Sequence, residues 1–119
     1  ICNLKAKDID FINAHGTATG YNDGMEAKAF LKLDFNNTPI NSFKGFFGHT
    51  LGAAGVIEIA VSLQSMRNNL LLKCKGFDEQ DFENELDILK ENRELEVNTI
   101  LKTSSGFGGF NASAIIQKI

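Results

Sequence analysis

Ten of the eleven glycines in this 119-residue chain stand in three groups: Gly16, Gly20 and Gly24; Gly45, Gly48, Gly52 and Gly55; Gly106, Gly108 and Gly109. Glycine loses more backbone freedom on folding than any other residue. It is favoured where the chain takes positive φ or lets another backbone or a ligand come close. Three separated groups predict three tight turns meeting near one site. Ordinary turns would use the same residues, so the segments between the glycines have to discriminate.

Those segments alternate. Asp8 to Ala14 is short, apolar-rich and β-compatible, and runs into the turn-prone HGTATGYNDG. From Asp23 onward, Met25, Ala29, Phe30 and Leu33 fall near helical spacing, with Asn36-Asn37 as a stop. Pro39 and Ile40 lead into NSFKGFFG, a second β-like run. Thr50 then stands as cap of a helix over LGAAGVIEIAVSLQSMRNN, apolar nearly all round and expected to be buried on most faces. Val97–Thr103 and Phe110–Ile116, separated by Ser104, Ser105 and GFGG, read as a closing antiparallel pair. The order is that of an α/β unit, one modest domain without an internal linker or repeat.

Charge narrows the function. Twelve Lys and Arg against fifteen Asp and Glu leave a net charge of −3, with no basic cluster to neutralise phosphates, so nucleic acid is not an expected partner. Nine of the acids fall between Asp78 and Glu96, against Lys90 and Arg93; this stretch is expected to be a solvated surface excursion, part of it helical. The longest apolar run, Leu51 to Leu63, is interrupted by Glu58 and falls short of the roughly 20 residues a membrane span needs. Cys2 and Cys74 share no close spacing and no secretion signal is present, so reduced thiols in a cytoplasmic setting are expected. With His15 and His49 they would make a zinc set lacking any close ligand pair, so no metal is expected. The opening ICNLKAKDID lacks an initiating Met and a signal peptide, and the chain is expected to be part of something longer.

Two histidines carry the chemistry. His15 follows a strand in NAHGTATG and His49 precedes a helix in KGFFGHTLGAAG, both at strand–helix junctions where α/β enzymes place their sites. A lone histidine is more often a structural hydrogen-bonding residue; two such junctions in one short chain point further. Lys44, five residues before His49, adds a cation able to fix a carboxylate or tune an imidazole. GFGGFN lacks the spacing of a phosphate-binding loop and runs into a strand, so backbone donors for an oxyanion fit it better.

NAHGTATGYNDGMEAKAF, KGFFGHTLGAAGVIEIA and SSGFGGFNASAII, in this order, resemble the C-terminal portion of the β-ketoacyl-acyl-carrier-protein synthases. The resemblance covers nearly the whole chain. It implies a thiolase-like fold, of which residues 1–119 would supply most of the C-terminal half, a mixed sheet flanked by helices. It implies a condensing enzyme of fatty-acid, polyketide or aryl-polyene synthesis, with no cofactor, its substrate carried on the phosphopantetheine of acyl carrier protein. His15 and His49 would hold the malonyl thioester carbonyl and stabilise the enolate formed on decarboxylation, and Lys44 would support them, paired with Glu26. Thr17 and Thr19 would contact the pantetheine arm; Ser105, Gly106 and Phe107, with Gly108 and Gly109, would form the oxyanion and gate turn. Acyl carrier protein, the N-terminal half of the parent and a homodimer or ketosynthase heterodimer partner are the implied associations.

The sequence departs from the family pattern in places. Ser105 stands where a gating phenylalanine is common, Phe110 where a threonine is usual, and Gly20-Tyr21-Asn22 replaces a small, proline-containing loop. The family's nucleophilic cysteine belongs to the N-terminal half, and neither Cys2 nor Cys74 lies in its context, so the chain alone is expected to be inactive. A non-catalytic partner of the chain-length-factor type is the alternative reading. If both imidazoles serve one carbonyl oxygen, they should lie within about 5 to 7 Å of each other.

Overall fold

The computed structural model describes residues 3–79 and 86–119. A mixed four-stranded sheet forms the centre, built from β1 (Phe11–Asn13), β2 (Ile40–Asn41), β5 (Thr99–Gly106) and β6 (Phe110–Gln117) in the order β2-β1-β5-β6. β1 pairs in parallel with both β2 and β5, whereas β5 and β6 are antiparallel, joined by the GFGG turn in which Gly108 and Gly109 take positive φ. A strand flanked by parallel neighbours and covered on both faces needs an apolar run, and Phe11 and Ile12 are fully buried.

Successive side chains alternate across the sheet, and the core divides accordingly. Ile12 packs with Ile40, Ala27 and Phe30 on the face covered by α1 (Gly20–Lys32). Phe11 packs with Phe43, Met66 and Ile100 on the face covered by α3 (Ala54–Asn68). Asn13 shares the α3 face, and the register sets it opposite Asn41 on one side and Lys102 on the other. Behind an apolar layer lies a buried polar row across the three parallel strands.

Several local expectations change. α1 begins at Gly20 after Thr19, not at Asp23, whose carboxylate sits in the first turn and accepts the Thr17 N–H. Its buried stripe is Glu26, Ala27 and Phe30, while Met25, Ala29 and Leu33 face outward. NSFKGFFG is strand only at its first residue: the Ser42 hydroxyl accepts the Lys44 N–H, and the chain turns into a single helical turn, α2 (Lys44–Phe47). Thr50 makes no side-chain cap; a 3-10 turn over Leu51–Ala53 precedes α3. α3 buries one stripe, Ala54, Glu58, Ser62, Ser65 and Met66, and leaves Val56 and Leu63 exposed, so it is not buried on most faces.

The acidic stretch is more than a solvated excursion. Leu86 and Leu89 are buried, and Ile88 bridges in parallel to Ile40, covering the free edge of β2. β4 (Arg93–Glu94) pairs with β3 (Leu70–Leu71), and Arg93 holds Asp87 with two hydrogen bonds of 2.5 and 2.8 Å. The part expected to be helical finds no helix among the described residues of this stretch; its remainder, 80–85, lies outside them.

Candidate active site

His15 leaves β1 two residues after Asn13, at the ends of the parallel strands, and His49 sits in the turn between α2 and α3. Their rings meet edge to face, centroids 5.4 Å apart and planes at 81°. This falls within the spacing expected for two donors on one oxygen. Positive φ at Gly16 and Gly48 bends the two loops toward each other, so each of the first two glycine groups supplies one such turn, while Gly24, Gly45 and Gly55 lie inside helices. Ala18 and Leu51, neither of them glycine, also take left-handed φ in these loops, a conformation costing about 1–2 kcal/mol per residue.

The two imidazoles live in different surroundings. His49 is exposed, and its Nδ1 accepts the Leu51 N–H at 3.1 Å, which places the proton of the neutral ring on Nε2. His15 is buried. Burial first, then the Lys44 ammonium, hold it below the ordinary 6.5, with Glu26 opposing them. Near neutral pH His15 is thus an uncharged imidazole.

Glu26 fixes the backbone that carries His15. One carboxylate oxygen accepts the His15 N–H at 3.0 Å and the Thr103 hydroxyl at 2.6 Å, and the other accepts the Gly16 N–H at 2.9 Å. The pairing of Lys44 with Glu26 that the resemblance implies does not form. Lys44 Nζ donates to the His15 carbonyl and to Glu58 Oε1, both at 2.6 Å. The cause is topological: Glu26 is already saturated by donors on the α1 side, while α3 turns Glu58 inward toward Lys44. Glu58 Oε2 has no aligned hydrogen bond but is met by Lys102 Nζ at 2.5 Å. Glu58, Lys102 and Thr103 were not expected in the site. The signal for the first two was a single charge in an apolar run, IEIA and TILKT.

Thr17 and Thr19 share a hydroxyl–hydroxyl hydrogen bond of 2.8 Å, and Asn22 Nδ2 donates to the Thr17 hydroxyl at 3.3 Å. Thr17, Lys44 and His49 line a cleft of about 270 Å³ together with Ser42, Cys74 and Lys75. Burial pushes the Cys74 thiol up from its ordinary range, with the Ser42 backbone opposing. Phe107 projects into solvent. Among the described residues neither imidazole has a hydrogen bond or ring contact with Ser105, Gly106 or Phe107.

At the ends of the parallel strands two histidines thus face each other, with the Lys44–Glu58 pair beneath them. The model of the beta-ketoacyl synthase C-terminal domain matches residues 2–78, and the chain belongs to that family. The 3-oxoacyl-[acyl-carrier-protein] synthase 2 of Rhizobium meliloti is 38% identical over 119 residues, covering 97% of this chain and 28% of that protein. The tetracenomycin polyketide synthase ketoacyl synthase alpha subunit of Streptomyces glaucescens is 36% identical over 115 residues, 93% of this chain and 27% of that one. Among solved structures, a beta-ketoacyl synthase from Burkholderia phymatum superposes with a TM-score of 0.91 at 33% identity, over 98% of this chain and 29% of that chain. The ketosynthase ApeO in complex with its chain length factor ApeC, from Xenorhabdus doucetiae, gives 0.78 at 34%, over 95% and 29%. The chain thus spans little more than a quarter of the relatives it matches. Among the described residues no helix is long and apolar enough to cross a membrane.

Proposed function

We propose that this chain forms the malonyl side of a condensing site, and that a synthase completed by an N-terminal half uses it to decarboxylate malonyl-acyl carrier protein. The edge-to-face pair of His15 and His49 carries this reading. Heterolysis of the bond between the malonyl α-carbon and its carboxylate releases carbon dioxide and leaves the electron pair on an enolate. Negative charge then builds on the thioester oxygen, where preorganised donors lower the barrier by roughly 3 kcal/mol each. A neutral His49 with its proton on Nε2 is such a donor, and His15, held uncharged by burial, is suited to be the second. The enolate carbon attacks the carbonyl of an acyl group held as a thioester on a cysteine of the N-terminal half. The new carbon–carbon bond forms, and the cysteine sulfur leaves as thiolate.

The surroundings support the same division of labour. Thr17 and Thr19 would take the pantetheine arm at the cleft, the Ser105–Gly109 turn would supply the oxyanion donors for the condensation step, and no further cofactor is required. Exposed apolar side chains such as Tyr21, Val56 and Phe110 give the N-terminal half and a second ketosynthase subunit surfaces to cover. A cytoplasmic setting follows from carrier-bound substrates. The intact His15, His49 and Lys44 favour a catalytic subunit over a chain-length-factor-like partner.

Incubating the 119-residue chain with acyl- and malonyl-carrier protein tests the division directly. No 3-oxoacyl product is expected without the upstream nucleophile; turnover by the isolated chain would refute it. Restoring the N-terminal half should restore product.

A further inference from the structure

Lys102 has no place in the mechanism just described, yet it is only 2% exposed, and lysine is almost never buried without a specific partner. The strand pattern around it would accept an isoleucine or methionine, so packing alone does not call for an ammonium.

Register explains where it goes. Lys102 lies opposite Asn13 on β1 and shares the face of the sheet on which α3 presents Glu58. Its Nζ stands 2.5 Å from Glu58 Oε2, 2.6 Å from the Thr103 carbonyl, 3.4 Å from the Ala14 carbonyl and 3.5 Å from the Asn13 carbonyl. Lys44 Nζ takes the other oxygen of Glu58 and the His15 carbonyl, both at 2.6 Å. Two ammonium groups therefore share one buried carboxylate, and between them face three successive carbonyls, those of residues 13, 14 and 15. That is the stretch of backbone from which His15 projects.

We propose that Lys102 is a positioning residue of this site: tethered on β5, it completes a Lys44–Glu58–Lys102 bridge that pins the end of β1 and adds a second ammonium to the burial and the Lys44 charge that keep the His15 imidazole uncharged. The inference deepens the reading of His15 as a neutral donor and rests on it for its use in catalysis. The charges facing His15 are Glu26 on α1, Lys44 on α2, the imidazole of His49 and Lys102 on β5, with Glu58 on α3 joined through the lysines. Two carboxylates and two ammonium groups balance with both imidazoles neutral. A proton on His15 adds an uncompensated cation in a partly buried place, where charges are poorly screened. Without Lys102 the set carries one net negative charge, and a proton on His15 would restore neutrality.

The test is an NMR titration of the His15 imidazole in the protein and in its Lys102→Gln and Lys102→Arg variants. Gln keeps polar contacts but removes the charge, and the His15 midpoint should move up; Arg keeps the charge and should bring the midpoint back toward that of the unmodified protein. A merely structural lysine would lower the melting temperature of both variants without separating their midpoints. A folded Lys102→Gln protein with an unmoved midpoint, or Gln and Arg variants that shift alike, would overturn the proposal. Should the Gln variant fail to fold, the unmodified protein decides. The Lys102 ammonium resonance should be protected from exchange and should respond as His15 titrates, and a flat or rapidly exchanging signal contradicts the bridge. The titration reads the imidazole itself, so its outcome does not depend on whether the protein decarboxylates malonyl thioesters.

Discussion

Lys44 and Glu58, fourteen residues apart and on different helices, meet at 2.6 Å with both side chains nearly closed to solvent. This pair, and not one with Glu26, ties the turn after β2 to α3, so the two loops bearing His15 and His49 share one support. Removing either partner leaves a buried charge without its counterion on that side, which typically costs about 3–5 kcal/mol. Glu58→Ala should therefore unfold at markedly lower denaturant than Glu58→Asp, measured by equilibrium urea titration. Equal midpoints for the two variants would show that the pair contributes nothing.

Glu26 acts on the other side of His15, and acts as an acceptor only. Glu26→Gln keeps the shape but turns an amide NH2 either toward the Gly16 N–H or toward the His15 N–H and the Thr103 hydroxyl. Hydrogen bonds to a charged group are worth about 1.5–3 kcal/mol, so a loss of about 2–3 kcal/mol is expected in the same titration. Glu26→Gln as stable as the unmodified protein would mean that the carboxylate does not hold the loop.

Burial of His15 links folding to pH. Its folded midpoint lies below the ordinary 6.5, so the unfolded chain binds more protons in the interval between them. The associated stability is fully present above 6.5 and is lost as pH falls through the folded midpoint. Melting temperatures recorded from pH 7.5 downward should fall across this window, and the fall should be shallower in His15→Gln. Parallel curves for both proteins would contradict the assignment.

Gly45 marks a close approach. A Cβ built there would lie 2.1 Å from the Lys75 carbonyl oxygen, which as backbone has no easy way to yield, whereas one at Gly52 meets nothing within 4 Å. Overpacking of this kind costs about 1–3 kcal/mol or more. Gly45→Ala should be destabilised and should shift the Lys44 side-chain resonances, while Gly52→Ala should leave both nearly unchanged. The reverse order of stabilities would rule out the contact.

How much of this was legible in the sequence depends on the range of the interaction. The β5–β6 pair could be read because alternation and a GFGG turn are local, and the convergence of His15 and His49 was expected because both stand at strand–helix junctions. The burial stripe of α1 could not be read from hydrophobicity. It includes Glu26, whose burial is offset by three donors, two from the loop after β1 and one from β5, and it excludes Met25 and Leu33. The Lys44–Glu58–Lys102 bridge was illegible for a related reason: it needs the face of α3 and the register of β5, both set by tertiary packing. An isolated charge in an apolar run was the one local trace it left.

The central claim is that His15 and His49 act together on one thioester oxygen, and release of carbon dioxide from malonyl-acyl carrier protein reports it most directly. In the synthase carrying this segment, His15→Ala and His49→Ala should each slow release by about 10²–10³-fold, the loss typical of one oxyanion donor. Acylation of the synthase by an acyl-carrier protein should persist in both, since it builds no enolate. Release at an unchanged rate in either variant, with the fold intact, would contradict the shared-oxygen mechanism.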